Sequence, residues 1–146
     1  MTDSRAYFDT SYIVRLYLED VGFEQVREFA SRHTIVSAVH GRTETIAAMH
    51  RALRERRITQ PEFQVLVAQF QADCAEQGIH WLTLSESVLS RVESVYMNAP
   101  ATQFLRAADA LHLACAREND FTSIYSNDRH LLAAAPIFDL AGHNLW

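Results

Sequence analysis

Lysine is missing altogether from this chain of 146 residues, and cysteine is scarce. The first absence excludes a phosphate-accepting receiver domain, which needs a lysine late in the chain to accompany the acids at its first strand. The two cysteines, Cys74 and Cys115, form no Cys-x-x-Cys pair, so zinc and redox readings lose their support. Each falls on the apolar stripe of an expected helix, where it serves as a small core residue, and no disulfide is expected in a reducing compartment. The seven histidines show no zinc-like spacing. No run approaches the ~20 apolar residues of a membrane span. Met1-Thr2-Asp3-Ser4-Arg5 lacks the basic-then-apolar pattern of a signal peptide. The expected location is therefore the cytoplasm. There is no repeat, low-complexity tract or linker, and the length suits one domain spanning 1–146.

What the chain does have is acid placed with regularity. The net charge is −5, which argues weakly against nucleic-acid binding. Four carboxylates, Asp9, Glu44, Asp109 and Asp128, supply most of it and leave only −1 for the remainder. A bound cation would offset the four locally, so the overall acidity does not exclude a nucleic-acid substrate.

Short β-like runs alternate with amphipathic helices. Ala6–Phe8 reads as a strand and Ser11–Leu18 as a helix. Gly22 separates a second helix from Phe23 to Arg32. Thr34–Val36 reads as strand two, with Ser37 as N-cap of a long helix running to about Arg57. Thr59-Gln60-Pro61-Glu62 is a capping-box sequence opening a helix that Gly78 ends, so the third and fourth helices form a hairpin. His80–Leu84 is strand three. Ser85 caps a helix carrying Val88, Val92 and Val95, and Pro100 divides it from another carrying Phe104, Ala108, Leu111 and Cys115. Ser123–Ser126 and Ile137–Leu140 are the last two expected strands. The alternation predicts an α/β fold with a mostly parallel sheet of about five strands flanked by helices.

Ligands in such sheets bind beyond the carboxyl ends of the strands. Asp9 and Asp128 both follow strands, and Glu44 and Asp109 lie on helices that can flank the same crevice. Singly, each acid has an ordinary role. Asp9 suits a cap for the first helix, Asp128 a cap for the helix through Leu131-Leu132, and Glu44 a solvated helix face. Asp109 is harder to dismiss, because Ala107, Ala108, Ala110 and Leu111 surround it with material suited to burial. A buried carboxylate costs several kcal/mol, of order 3–5, unless it is paired or metal-bound. Jointly, the four point to a divalent-metal site.

The joint pattern resembles a known family. Phe8-Asp9-Thr10-Ser11, the Glu44 that ends Ser37-Ala38-Val39-His40-Gly41-Arg42-Thr43-Glu44, Ala108-Asp109-Ala110-Leu111-His112-Leu113-Ala114 and Ser126-Asn127-Asp128 are similar, in order and spacing, to the PIN-domain nucleases. Among these they look most like the VapC-type toxins of bacterial toxin–antitoxin pairs. The resemblance implies a PIN-like three-layer fold and a Mg²⁺- or Mn²⁺-dependent endoribonuclease. It also implies an RNA substrate, a cognate antitoxin whose carboxyl-terminal segment covers the site, and a homodimer. Carried over by position, Asp9, Glu44, Asp109 and Asp128 are the catalytic and metal-binding acids, with Thr10, Ser11 and Ser126 supporting the loops. One departure is that many relatives carry a further acid shortly after the last position, where this chain has Arg129 and His130. A second metal is then expected only with RNA present.

Mg²⁺ prefers oxygen ligands and keeps several waters. Two such ions about 3.5–4 Å apart would stabilise the attacking and departing oxygens of a phosphodiester. Asp109 or Glu44 is the candidate acceptor of the water proton. Arg15, Arg42 and Arg106 stand near the acids in sequence and can bind phosphate or pair with carboxylates. Arg51, Arg54, Arg56 and Arg57 form a basic cluster that is either a solvated face or an RNA contact. For His112, on the same helix face as Asp109, a hydrogen-bonding role ranks above metal ligation. Two other classes compete. A haloacid-dehalogenase-type phosphatase needs a second Asp where Ser11 stands. A catalytically silent PIN-fold interaction module needs no acids, and all four are present.

Overall fold

The computed structural model describes residues 4–146. Strands β1 (Arg5–Tyr7), β2 (Thr34–Ala38) and β3 (His80–Leu82) form one parallel ladder with β2 in the middle. Strands β4 (Ser123–Tyr125) and β5 (Ala141–His143) form a second parallel ladder. A parallel bridge between Phe8 and Tyr125 joins the two. The order across the molecule is therefore β3-β2-β1-β4-β5, and the direction of winding reverses between β1 and β4.

Both faces of the sheet are covered, as an all-parallel sheet requires. The side chains of β1 alternate to serve both sides. Ala6 and Phe8 enter a cluster with Tyr12, Val26, Ile35, Met49 and Phe70, whereas Tyr7 enters the opposite one with Val36, Leu113, Ile124 and Phe138. The first face is built by α1 (Thr10–Val14), α2 (Phe23–Ala30), α3 (His40–Arg54) and α4 (Gln60–Ala75). The second is built by α5 (Glu86–Asn98), α6 (Ala107–Glu118) and α7 (Arg129–Ala134). Three layers result. Complete burial of a ring such as Phe8 contributes roughly 1.5–3 kcal/mol.

Several local expectations hold. Thr59 and Glu62 form the reciprocal capping box, Pro61 lies in the first turn, and Ser85 caps α5 through the Val88 amide. Cys74 and Cys115 are free thiols, and burial pushes Cys115 up to about 11.

Others need correction. Ser37 is not a helix cap. It lies inside β2, fully buried, and donates to the Phe8 carbonyl at 2.7 Å, while α3 starts after Val39. The helix expected to carry Phe104 begins at Ala107. Helix α1 ends at Val14 and continues as turns rather than reaching Leu18 as a helix. The apolar run Ile137–Leu140 is not a strand. Ala135–Phe138 is a 3₁₀ turn with Pro136 at its start, and the last strand is Ala141–His143. Proline has no N–H for a ladder and a φ preset for a helical turn, which decides that segment.

Candidate active site

Where winding reverses, the carboxyl ends of β1 and β4 stand side by side, the position at which open parallel sheets bind their ligands. Asp9 follows β1 there and Asp128 follows β4. The amide of Asp9 donates to the Tyr125 carbonyl at 3.1 Å, tying the two strand ends together.

Asp9 is both the N-cap of α1 and a hub. Its Oδ1 accepts from the Tyr12 amide at 3.2 Å and the Ser11 hydroxyl at 2.6 Å, and its Oδ2 from the Ser126 hydroxyl at 2.6 Å. Burial dominates its titration and raises the carboxyl above its ordinary value, against His112 and these donors. Ser126 is fully buried and also accepts from the Asp128 amide at 2.9 Å, so one hydroxyl connects the two acidic loops. Ser11 extends the link by accepting from the Asn127 amide at 2.9 Å.

Asp128 caps α7, its Oδ1 accepting from the amides of His130 and Leu131 at 2.8 and 3.2 Å. Its other oxygen accepts from Arg106, whose Nε donates to Asp109 Oδ2 at 2.9 Å. The Arg106 guanidinium thus stands between two carboxylates and lies over the Phe104 ring. Burial works against ionised Asp128, but the two amides and Arg106 prevail and hold it below its ordinary value. For Asp109 burial prevails over Arg106, and its carboxyl is raised.

Glu44, one turn into α3, accepts from the Thr10 hydroxyl at 2.7 Å and from His112 Nε2 at 2.9 Å. Since the carboxylate accepts, that Nε2 carries hydrogen, and the Tyr7 hydroxyl donates to His112 Nδ1 at 2.8 Å. Burial would raise Glu44, yet His112 and Thr10 bring it below its ordinary value. His40 Nε2 lies 3.5 Å from the same Glu44 oxygen and 3.1 Å from the Ala108 carbonyl. Gly41 lets α3 come this close, since a Cβ there would stand 3.1 Å from the Trp81 ring and 3.4 Å from His112.

The seven residues singled out in sequence are therefore linked as two clusters. Asp9, Ser11, Ser126 and Asp128 are joined by hydroxyls, with Asp109 attached through Arg106. Thr10 and Glu44 join His112. Among the described residues, the only set of three metal-ligating side chains with donor atoms within 4.8 Å of one another is His40, Glu44 and His112. Asp9, Asp109 and Asp128 do not form such a set. Both cap roles weighed for Asp9 and Asp128 are present, and Glu44 is half-buried rather than on a solvated face.

Sequence reasoning passed over His40, whose signal was its i, i+4 spacing to Glu44. Arg106 pairs with carboxylates, one of its two expected roles. Arg15 instead donates to the backbone carbonyls of Ser11 and Val21. In the basic cluster, Arg51 and Arg57 are paired with Glu55, and Arg57 also with Asp20.

Comparison with known families decides the kinship: the PIN domain family matches residues 6–136. The chain belongs to the PIN domain family. PIN domains are generally nucleases. Several solved structures share the fold at low identity. VapC20 of Mycobacterium tuberculosis, described as a sarcin–ricin loop cleaving toxin, superimposes with a TM-score of 0.68 at 14% identity, covering 88% of this chain and 94% of that one. VapBC2 from Rickettsia felis, bound to a DNA fragment from its promoter, gives 0.65 at 12%, covering 96% and 98%. FitAB bound to an IR36 DNA fragment gives 0.67 at 14%, covering 97% and 95%. Comparison with curated proteins gives no match. Among the described residues, no helix of this PIN domain is long and apolar enough to cross a membrane.

Proposed function

We propose that this PIN domain is a Mg²⁺- or Mn²⁺-dependent endoribonuclease, acting in the cytoplasm as the toxin of a type II toxin–antitoxin pair. The observation that carries this reading is the linkage of Asp9, Asp109 and Asp128 through Ser126 and Arg106 at the carboxyl ends of β1 and β4. The donor chemistry fits a hard divalent cation, since the acids offer oxygen and already draw one cationic side chain between two of them. Asp9, Glu44, Asp109 and Asp128 would hold the ion. A divalent ion supplies an acidified water and charge stabilisation at the phosphoryl oxygens.

The protein's own groups have separable roles. Ser126 and Ser11 fix Asp9 against rotation, and Thr10 and His112 do so for Glu44. Asp109, whose carboxyl burial raises where hydrogen bonds lower those of Asp128 and Glu44, is the candidate proton acceptor. Its carboxylate takes the proton of the attacking water, and the products carry 5′-phosphate and 3′-hydroxyl ends. The exposed Phe104, packed against His130 with ring centroids 4.3 Å apart, offers a base a stacking surface beside Asp128.

The fold likeness to VapBC2 and FitAB supports an antitoxin partner, and the same reading includes a homodimer. An antitoxin arginine would meet carboxylates of the kind Arg106 already occupies. The test is cleavage of RNA with Mg²⁺ or Mn²⁺, with 5′-end sequencing after induced expression. Asp109→Asn and Asp128→Asn should fold and lose cleavage. Equal cleavage by wild type and both variants would place the activity elsewhere. A folded wild type that cleaves no RNA but still binds an antitoxin would favour the silent interaction module.

A further inference from the structure

We propose that His40, Glu44 and His112 form a second metal site, selective for a borderline transition ion such as Zn²⁺ or Co²⁺ over Mg²⁺, and sharing Glu44 with the acidic site. Two imidazoles and one carboxylate converge here from α3 and α6, 68 residues apart in sequence. Their donor atoms lie within 4.8 Å of one another, and both histidine Nε2 atoms approach the same Glu44 oxygen, at 2.9 and 3.5 Å. Ligands about 2.0–2.2 Å from a zinc-sized ion stand roughly 3–3.5 Å apart at octahedral to tetrahedral angles. The two histidine-to-Glu44 distances already approximate that shell.

Three further observations point the same way. His112 is oriented from behind by the Tyr7 hydroxyl on Nδ1 at 2.8 Å, the outer hydrogen bond that metal-ligating histidines characteristically make. On binding, the tautomer inverts: Nδ1–H donates to Tyr7 and Nε2 presents its lone pair. His40 has a buried Nδ1 with no hydrogen-bond partner among the described residues, so its ring is held only at Nε2, by the Ala108 carbonyl at 3.1 Å, a bond that an ion at Nε2 would replace. Thr10 Oγ1, 3.2 Å from His112 Nε2 and 2.7 Å from Glu44, stands beside the set with a hydroxyl. Three protein ligands leave positions for water, the pattern of an open rather than a structural site.

The chemistry separates this site from the acidic one. Imidazole nitrogen suits zinc and its late first-row neighbours, whereas Mg²⁺ prefers oxygen and gives up its waters reluctantly. A transition ion here draws Glu44 toward the histidines, so occupancy of the two sites is coupled.

Co²⁺ titration of tag-free protein, read by visible absorption, tests the proposal without requiring any cleavage activity. Wild type and Asp109→Asn should both bind one Co²⁺ with nitrogen-ligated d–d bands, displaced by Zn²⁺ but not by a large excess of Mg²⁺. His40→Ala should weaken binding at least about tenfold, the lower limit seen even for outer-sphere partners. His112→Gln should do the same, with circular dichroism checking its fold. Undiminished Co²⁺ binding in folded His40→Ala, or displacement by Mg²⁺, would assign the ion to the acids and overturn the proposal. Loss of cleavage in Asp109→Asn with the cobalt bands retained would separate this site from the nuclease reading.

Discussion

Replacing Ser126 with alanine should expose how strongly the two acidic loops depend on one hydroxyl. Its Oγ donates to Asp9 Oδ2 at 2.6 Å and accepts from the Asp128 amide at 2.9 Å, and the residue has no exposure at all. A hydrogen bond to a charged group contributes about 1.5–3 kcal/mol, and a neutral one about 1. No water replaces either in so closed a setting, so the expected loss is roughly 2–4 kcal/mol. For a domain of this size that corresponds to about 5–15 °C in Tm. The pH dependence makes the test sharper. Burial already holds the Asp9 carboxyl above its ordinary value, and Ser126 is one of the groups pulling it down. Without the hydroxyl the folded-state value rises further. A carboxyl raised in the folded state costs stability at pH above that value, and the cost fades as pH falls through it. The deficit of Ser126→Ala is therefore greatest above that raised value and narrows on acidification through it. Urea denaturation of both proteins across that pH range measures it. A deficit below about 1 kcal/mol, or one that does not change with pH, would refute the hub.

Two other substitutions probe the surroundings. Arg106→Ala should change stability by less than about 1 kcal/mol, because its side chain is half exposed. It should tighten Mn²⁺ binding by up to about tenfold, since Asp109 and Asp128 lose the cation they share; weaker binding by isothermal titration would contradict that competition. Gly41→Val should destabilise by about 1–3 kcal/mol, because a Cβ there already meets Trp81 at 3.1 Å and His112 at 3.4 Å; a thermal melt matching wild type would show that α3 has room to retreat.

The alternation of short strands with amphipathic helices was legible because each element carries its own signal, from the Thr59–Glu62 box to the apolar stripe of α4. Strand β5 was not. Its residues are exposed, with a glycine at the centre, and only the register Ser123 to Ala141 with β4 makes them a strand. The more strand-like Ile137–Leu140 was claimed by Pro136 and a 3₁₀ turn. Ser37 misled for a related reason: a serine before a helix reads as a cap, but its hydroxyl found the Phe8 carbonyl across the ladder. At the site, the four acids stood out because each carries a local context. The approach of His40 and His112 did not, since it depends on α3 meeting α6 above Gly41, and no spacing within one segment encodes that.

Asp9 and Asp128 each use carboxylate oxygens to hold the backbone. Oδ1 of Asp128 is committed to the His130 and Leu131 amides in the first turn of α7 and that of Asp9 to the Tyr12 amide in the first turn of α1, while the hydrogen bonds to Glu44 gather on Oε1. The consequence is one of denticity. An ion entering between these loops would be met by single oxygens, with the partner atoms held back by the helices they start. That suits a small ion that fills its octahedron with water, and it ill serves calcium, whose larger shell draws on bidentate carboxylates.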